Sequence, residues 1–112
     1  MGISTHILDT ALGKPAVGGS ISLARRDGNV WTPLRHVHTD ADGRARHLLP
    51  DNQALEAGTF RLRFETAAYF AAQGVRGLYP YVDIVFAIDA PVQHYHIPLL
   101  LTPNGYTTYR GS

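Results

Sequence analysis

The 112-residue sequence has no cysteine, one methionine and one tryptophan. Without cysteine there are no disulfide staples and no thiolate metal sites, so an apolar core must hold the fold. An oxidising compartment is neither required nor excluded. The net charge is only +1 with histidine neutral, and the longest basic run, Arg25-Arg26, is followed at once by Asp27. A nucleic-acid binder would show a basic stripe, and none is present. No apolar run approaches the roughly 20 residues of a membrane helix. The opening MGISTHILD lacks a basic segment followed by an apolar stretch, so no leader is expected as written. The expectation is a cytoplasmic protein with neither a nucleic-acid nor a membrane partner.

What is present is ordinary for a globular chain: 45% apolar and 17% charged residues. The length fits a single domain over residues 1–112 with a real but small core. The period is two almost throughout. Ile21 and Leu23 alternate with Ser20 and Ser22 between Gly18-Gly19 and Asp27-Gly28. Residues 30–39 read as a second strand. Asp40-Ala41-Asp42-Gly43 is a turn, and 44–49 is expected to return as the hairpin partner of 30–39. In 59–65, Phe60, Leu62 and Phe64 face one way and Arg61, Arg63 and Glu65 the other. The Ala-rich stretch 66–73 breaks the alternation; with Thr66 as a cap and Gly74 as a stop, it reads as one short helix. Residues 3–9, 81–88, 94–101 and 106–110 complete about eight strands. Close turns without a βαβ rhythm predict an all-β fold, an antiparallel sandwich.

Strand 94–101 carries most of the chemical information. Tyr95, Ile97, Leu99 and Leu101 form a core face, and His94, His96, Pro98 and Leu100 form the other. An outer face that mixes imidazole with Pro and Leu suits a surface covered by another subunit. His6 shares its face with Leu8 in the same way. Two His-x-His pairs occur, His36/His38 and His94/His96. On a strand such a pair faces one way and can chelate zinc if a third ligand joins it. Strand histidines more often fill half-polar positions, and no metal site is expected. Arg44, one residue past the turn, reads alone as a solvated strand-end charge. No Gly-x-Ser-x-Gly elbow or phosphate loop is present. Imidazoles and a guanidinium on one face, with a polar tail, suit acid/base hydrolysis of an electron-rich or anionic ring.

Taken together, several segments are more specific than their parts. Ser4-Thr5-His6-Ile7-Leu8-Asp9, Thr39-Asp40-Ala41-Asp42-Gly43-Arg44, His94-Tyr95-His96-Ile97-Pro98-Leu99-Leu100-Leu101, Gly105-Tyr106-Thr107-Thr108 and the terminal Tyr109-Arg110-Gly111-Ser112 follow one another without a large insertion. In this combination the chain resembles the 5-hydroxyisourate hydrolases, the transthyretin-like enzymes of urate breakdown.

The resemblance implies a transthyretin-like (prealbumin-like) sandwich of two four-stranded sheets with one short helix. It implies a homotetramer, a dimer of dimers, with active sites in a channel where the dimers meet. It implies no cofactor and no metal. Carried over by position, the catalytic residues are His6, Arg44, His96 and Ser112, and the substrate contacts are His6, Arg44, Tyr109, Arg110 and Gly111. The implied reaction opens the six-membered ring of 5-hydroxyisourate at an acyl C–N bond. His6 or His96 would be the general base, Arg44 would stabilise the oxyanion, and His94 would support the site or the interface. The competing expectation is a transthyretin-type carrier on the same fold. That branch lacks the terminal Tyr-Arg-Gly-Ser and does not keep histidine at the position of His96.

Overall fold

The computed structural model describes residues 2–112. Ten elements follow in order: β1 (Gly2–Asp9), β2 (Lys14–Pro15), β3 (Ser20–Asp27), β4 (Val30–His38), β5 (Arg44–Ala45), β6 (Gly58–Phe64), α1 (Thr66–Ala71), β7 (Val82–Ile88), β8 (His94–Thr102) and β9 (Gly105–Thr108). They form two sheets. One has the order β4-β3-β6-β7 and the other β2-β1-β8-β9, with β5 also paired to β1. The second sheet therefore holds five strands rather than four, because the two-residue β2 and β5 share one edge of β1. β2 pairs at Leu8 and Asp9, and β5 at Thr5 and His6.

The alternating strands bury their apolar faces as a sandwich requires. Phe60, Leu62 and Phe64 of β6 pack with Ile21 and Leu23 of β3 and with Ile3, Ile97 and Leu99 across the gap, all in one cluster. Each such side chain stabilises by about 1.5–3 kcal/mol on full burial, so a core of this kind needs no covalent staple.

Three expectations change. Residues 44–49 do not form a hairpin with β4. The Asp40–Gly43 turn does close locally, with the Gly43 amide donating to the Asp40 carbonyl and the Asp40 amide to the Arg44 carbonyl. The chain then crosses to the other sheet, where β5 pairs with β1. The sandwich is also not wholly antiparallel. β1 and β8 run parallel over eight residue pairs, from Gly2 opposite His94 to Asp9 opposite Leu101. Finally, Glu65 rather than Thr66 is the N-cap of α1, and no side chain caps it. The Thr66 hydroxyl donates instead to the Tyr79 carbonyl. The Gly74 stop holds: its φ is 70°, and the Val75 amide returns to the Phe70 carbonyl.

Candidate active site

β1 lies at the centre of the five-stranded sheet, and its neighbours' registers assemble the site. Ser4 pairs with His96 on one side, and His6 pairs with Arg44 on the other. Paired residues share a face, so Ser4, His6, Arg44, His94 and His96 all belong to the outer face of this sheet. Half-buried Leu8 and Leu100, also a registered pair, continue that face beyond the polar cluster.

The Arg44 position is set by its turn. Asp40 Oδ1 accepts the amides of Asp42 and Arg44, at 2.9 and 3.0 Å. The Arg44 amide is the main reason the Asp40 carboxyl sits below its ordinary pKa. Gly43 has φ 74°, and a Cβ there would lie 2.5 Å from the Ile7 carbonyl oxygen. Only glycine lets the turn press this closely on β1.

The tail is placed by β-pairing. β9 pairs with β8 from Thr102–Gly105 to Leu99–Thr108. The ladder breaks opposite Pro98, which has no N–H to give; its carbonyl takes the Thr108 hydroxyl instead, at 2.7 Å. Pairing resumes in the same register at His96–Gly111, where the Gly111 amide donates to the His96 carbonyl at 2.8 Å. Gly111 lies flat against the imidazole: a Cβ there would come within 2.5 Å of His96 Cδ2.

Arg44, His96 and Ser112 converge on one cavity of about 360 Å³, which Ser4, Arg46, His47 and His94 also line. Its wall carries two guanidinium groups, three imidazoles and no acidic side chain, which favours an anionic or electron-rich ligand. Ser4 Oγ stands between two rings, 2.7 Å from His94 Nε2 and 2.8 Å from His96 Nδ1. Burial lowers the His96 pKa from 6.5, helped by the charges of Arg44, His6 and His94. Burial also lowers that of His94. His6 sits beside this group, its Nε2–H donating to the Asp42 carbonyl at 2.9 Å. A carbonyl can only accept, so neutral His6 keeps its lone pair on Nδ1.

Not every candidate from the sequence meets here. Tyr109 and Arg110 line a different cavity, with Tyr95 and Ile97. Arg110 lies 4.5 Å over the Tyr95 ring and donates to Gln93 Oε1 at 2.6 Å. His36 and His38 stand on β4 of the other sheet, with rings edge to face at 5.2 Å. Ser4, Arg46 and His47 escaped the sequence reading. Ser4 lies two residues before His6 on one face, but its partner strand is about ninety residues away. Among the described residues no group of three or more His, Asp or Glu side chains is arranged to hold a metal ion.

The sequence profile of the HIUase/Transthyretin family matches residues 3–111. The chain belongs to that family. Within the HIUase/Transthyretin family, the 5-hydroxyisourate hydrolase of Mus musculus is 45% identical over 112 residues, covering 98% of this chain and 94% of that protein. The solved 5-hydroxyisourate hydrolase of Klebsiella pneumoniae superposes with a TM-score of 0.88 at 38% identity, covering 100% of both chains. Sea bream transthyretin, solved in complex with thyroxine, gives a TM-score of 0.91 at 31% identity, covering 99% of this chain and 95% of that one. The backbone fits hydrolase and transthyretin alike, so the distinction falls to the side chains on the outer sheet face.

Proposed function

We propose that this chain hydrolyses 5-hydroxyisourate to 2-oxo-4-hydroxy-4-carboxy-5-ureidoimidazoline, a step of urate and purine catabolism, by metal-independent His/Arg chemistry without a cofactor. The observation that carries the reading is the convergence of Arg44, His96 and Ser112 on one cavity lined by no acidic side chain. An anionic or electron-rich ring gains charge-assisted hydrogen bonds from such a wall.

His96 is assigned as general base. Its Nδ1 is held by Ser4, which leaves Nε2, the atom next to Cδ2 on the Gly111 side, to take a proton from water. Its lowered pKa keeps it neutral at working pH. Water attacks the acyl carbon, Arg44 stabilises the oxyanion, and the C–N bond breaks as the leaving nitrogen takes the proton from His96 Nε2. His6 orients the substrate. Ser112 hydrogen-bonds the ring or the water, and Tyr109 and Arg110 enter through the tail they anchor.

The half-buried Leu8 and Leu100 beside this cluster support a covered face. We therefore assign the assembly as a homotetramer, a dimer of dimers, in which two such faces enclose a channel. We place the reaction in the cytoplasm.

The test generates 5-hydroxyisourate from urate with uricase and follows the decay of its ultraviolet absorbance. Decay should accelerate in proportion to this protein and be unaffected by chelator. Decay no faster than in buffer refutes the hydrolase and moves the question to ligand binding, the carrier reading. Loss of activity with chelator refutes the metal-independent mechanism.

A further inference from the structure

The Ser4 hydroxyl has one hydrogen and two imidazole nitrogens against it, at 2.7 Å from His94 and 2.8 Å from His96. Ser4 is buried, at 8% exposure, so water does not readily replace either partner. A hydroxyl gives one hydrogen bond and accepts up to two. The two rings therefore cannot both accept from Ser4, and at least one must donate to it. Both histidines have their pKa lowered, chiefly by desolvation, so at mildly alkaline pH each ring carries one N–H and one lone pair. With one proton per ring, the tautomers of His94 and His96 depend on each other.

Two arrangements donate the serine hydrogen to a ring. In the first, Ser4 donates to His94 Nε2, and His96 donates Nδ1–H to Ser4 Oγ. His96 Nε2 then carries a lone pair. In the second, His94 donates Nε2–H to Ser4, and Ser4 donates to His96 Nδ1. His96 Nε2 is then blocked by a proton. Only the first presents a base toward the tail side of the ring, where Gly111 packs.

We propose that Ser4 and His94 are positioning residues that fix His96 in its Nδ1–H tautomer and so expose Nε2 as the base. This rests on the hydrolase reading for its catalytic consequence, while the tautomers themselves exist with or without substrate. The charged and titratable groups around the pair include His6 from β1, Arg44 from β5, Arg46, His47 and the terminal carboxylate of Ser112. Cationic Arg44 near His96 disfavours a further proton there, consistent with a neutral ring. The device also accounts for the spacing of the His-x-His pair: residues 94 and 96 lie on one face, and Ser4 lies opposite 96 in register. The pair that suggested a chelate from sequence is bridged by a hydroxyl.

The test is nitrogen-15 imidazole spectroscopy of the full chain at mildly alkaline pH, with steady-state kinetics on the same samples. The wild type should show Nδ1–H on both His94 and His96. Ser4→Ala should release His96 into a tautomer mixture and lower kcat about tenfold, with KM changed less than twofold. That loss is smaller than the 10²–10⁴ contributed by a general base. His94→Asn, at an exposed position, should also release His96 and serves if Ser4→Ala fails to fold. Ser4→Thr, which keeps the hydroxyl, should restore both the tautomer and the rate. A wild-type His96 carrying Nε2–H, or a tautomer unchanged in both Ser4→Ala and His94→Asn, overturns the proposal. A wild type that shows the expected tautomers but does not accelerate 5-hydroxyisourate decay leaves the tautomer coupling standing and overturns the hydrolase reading instead.

Discussion

Gly111→Ala is the sharpest perturbation of the site. The added Cβ would fall 2.5 Å from His96 Cδ2, and 3.3 Å from both His96 Cγ and Pro98 Cγ. Carbon atoms settle at about 3.5–4.0 Å, so something must move by about 1 Å. If the imidazole moves, its 2.8 Å contact with Ser4 stretches toward the limit of hydrogen bonding. If the tail moves, the bond from the Gly111 amide to the His96 carbonyl is lost and Ser112 leaves the cavity. Either way a reacting group shifts by about 1 Å, a displacement that costs on the order of 10²-fold in rate. The stability cost is small, because a swinging tail forfeits only about 0.5–1.5 kcal/mol for one hydrogen bond. Decay of 5-hydroxyisourate should show kcat reduced by roughly 10²-fold, and the melting temperature should fall by no more than about 4–8 °C. Deleting residues 109–112 should lower kcat at least as far. A Gly111→Ala variant with kcat near wild type refutes the contact between tail and imidazole as a part of catalysis.

The other outcomes follow from the same contacts. Because His96 must be neutral and its pKa lies below 6.5, the acid limb of kcat/KM should have its midpoint below 6.5, read from a pH–rate profile. The same depression makes the unfolded chain bind more protons, so stability should fall as pH drops from 6.5 toward the depressed value and level off below it, read by thermal melts. Arg44→Lys should lower kcat by more than tenfold while leaving the melting temperature unchanged, because an ammonium cannot reproduce the fork that holds a planar anion. Tyr69→Phe removes the phenol that donates to fully buried Asp9 at 2.8 Å. It should cost about 1–3 kcal/mol in denaturant unfolding, with the Ala11 and Leu12 amides still bound to Asp9.

Sequence alternation revealed what local physics controls. The inward Phe60, Leu62 and Phe64, the two faces of 94–101 and the single helix stop at Gly74 are all consequences of period and glycine geometry within a few residues. What escaped was pairing across long separations. Nothing in residues 2–9 or 94–102 says that the two run parallel, and without that register Ser4 has no reason to stand beside His96. The destination of 44–49 was missed for a related reason. The turn chemistry of Asp40 and Gly43 is that of a hairpin, and its hydrogen bonds are made; the competing attraction is the open edge of β1, which accepts only the two residues Arg44 and Ala45. Of the residues the resemblance named, Arg44, His96 and Ser112 line one cavity, while Tyr109 and Arg110, adjacent in sequence, fall around Tyr95 and Gln93.

The site and the fold share parts at β5 and separate at the tail. Arg44 reaches the outer face only in the register that sets it opposite His6; a slip of one residue would turn it inward and send Ala45 out. That register is pinned by Gly43, whose carbonyl accepts the Ile7 amide at 2.8 Å and whose Cα leaves no room for a side chain. Gly43→Ala should therefore damage both properties. The positive φ alone costs about 1 kcal/mol, and the 2.5 Å approach to the Ile7 carbonyl oxygen must be relieved by backbone, which has no rotamer to change. The expected result is a melting temperature lowered by more than about 4–8 °C together with a fall in kcat. Gly111→Ala, by contrast, should lower kcat with a much smaller effect on melting. If Gly43→Ala melts like wild type, the turn is not what holds Arg44 in register, and the placement of the guanidinium would have to come from the cavity wall itself.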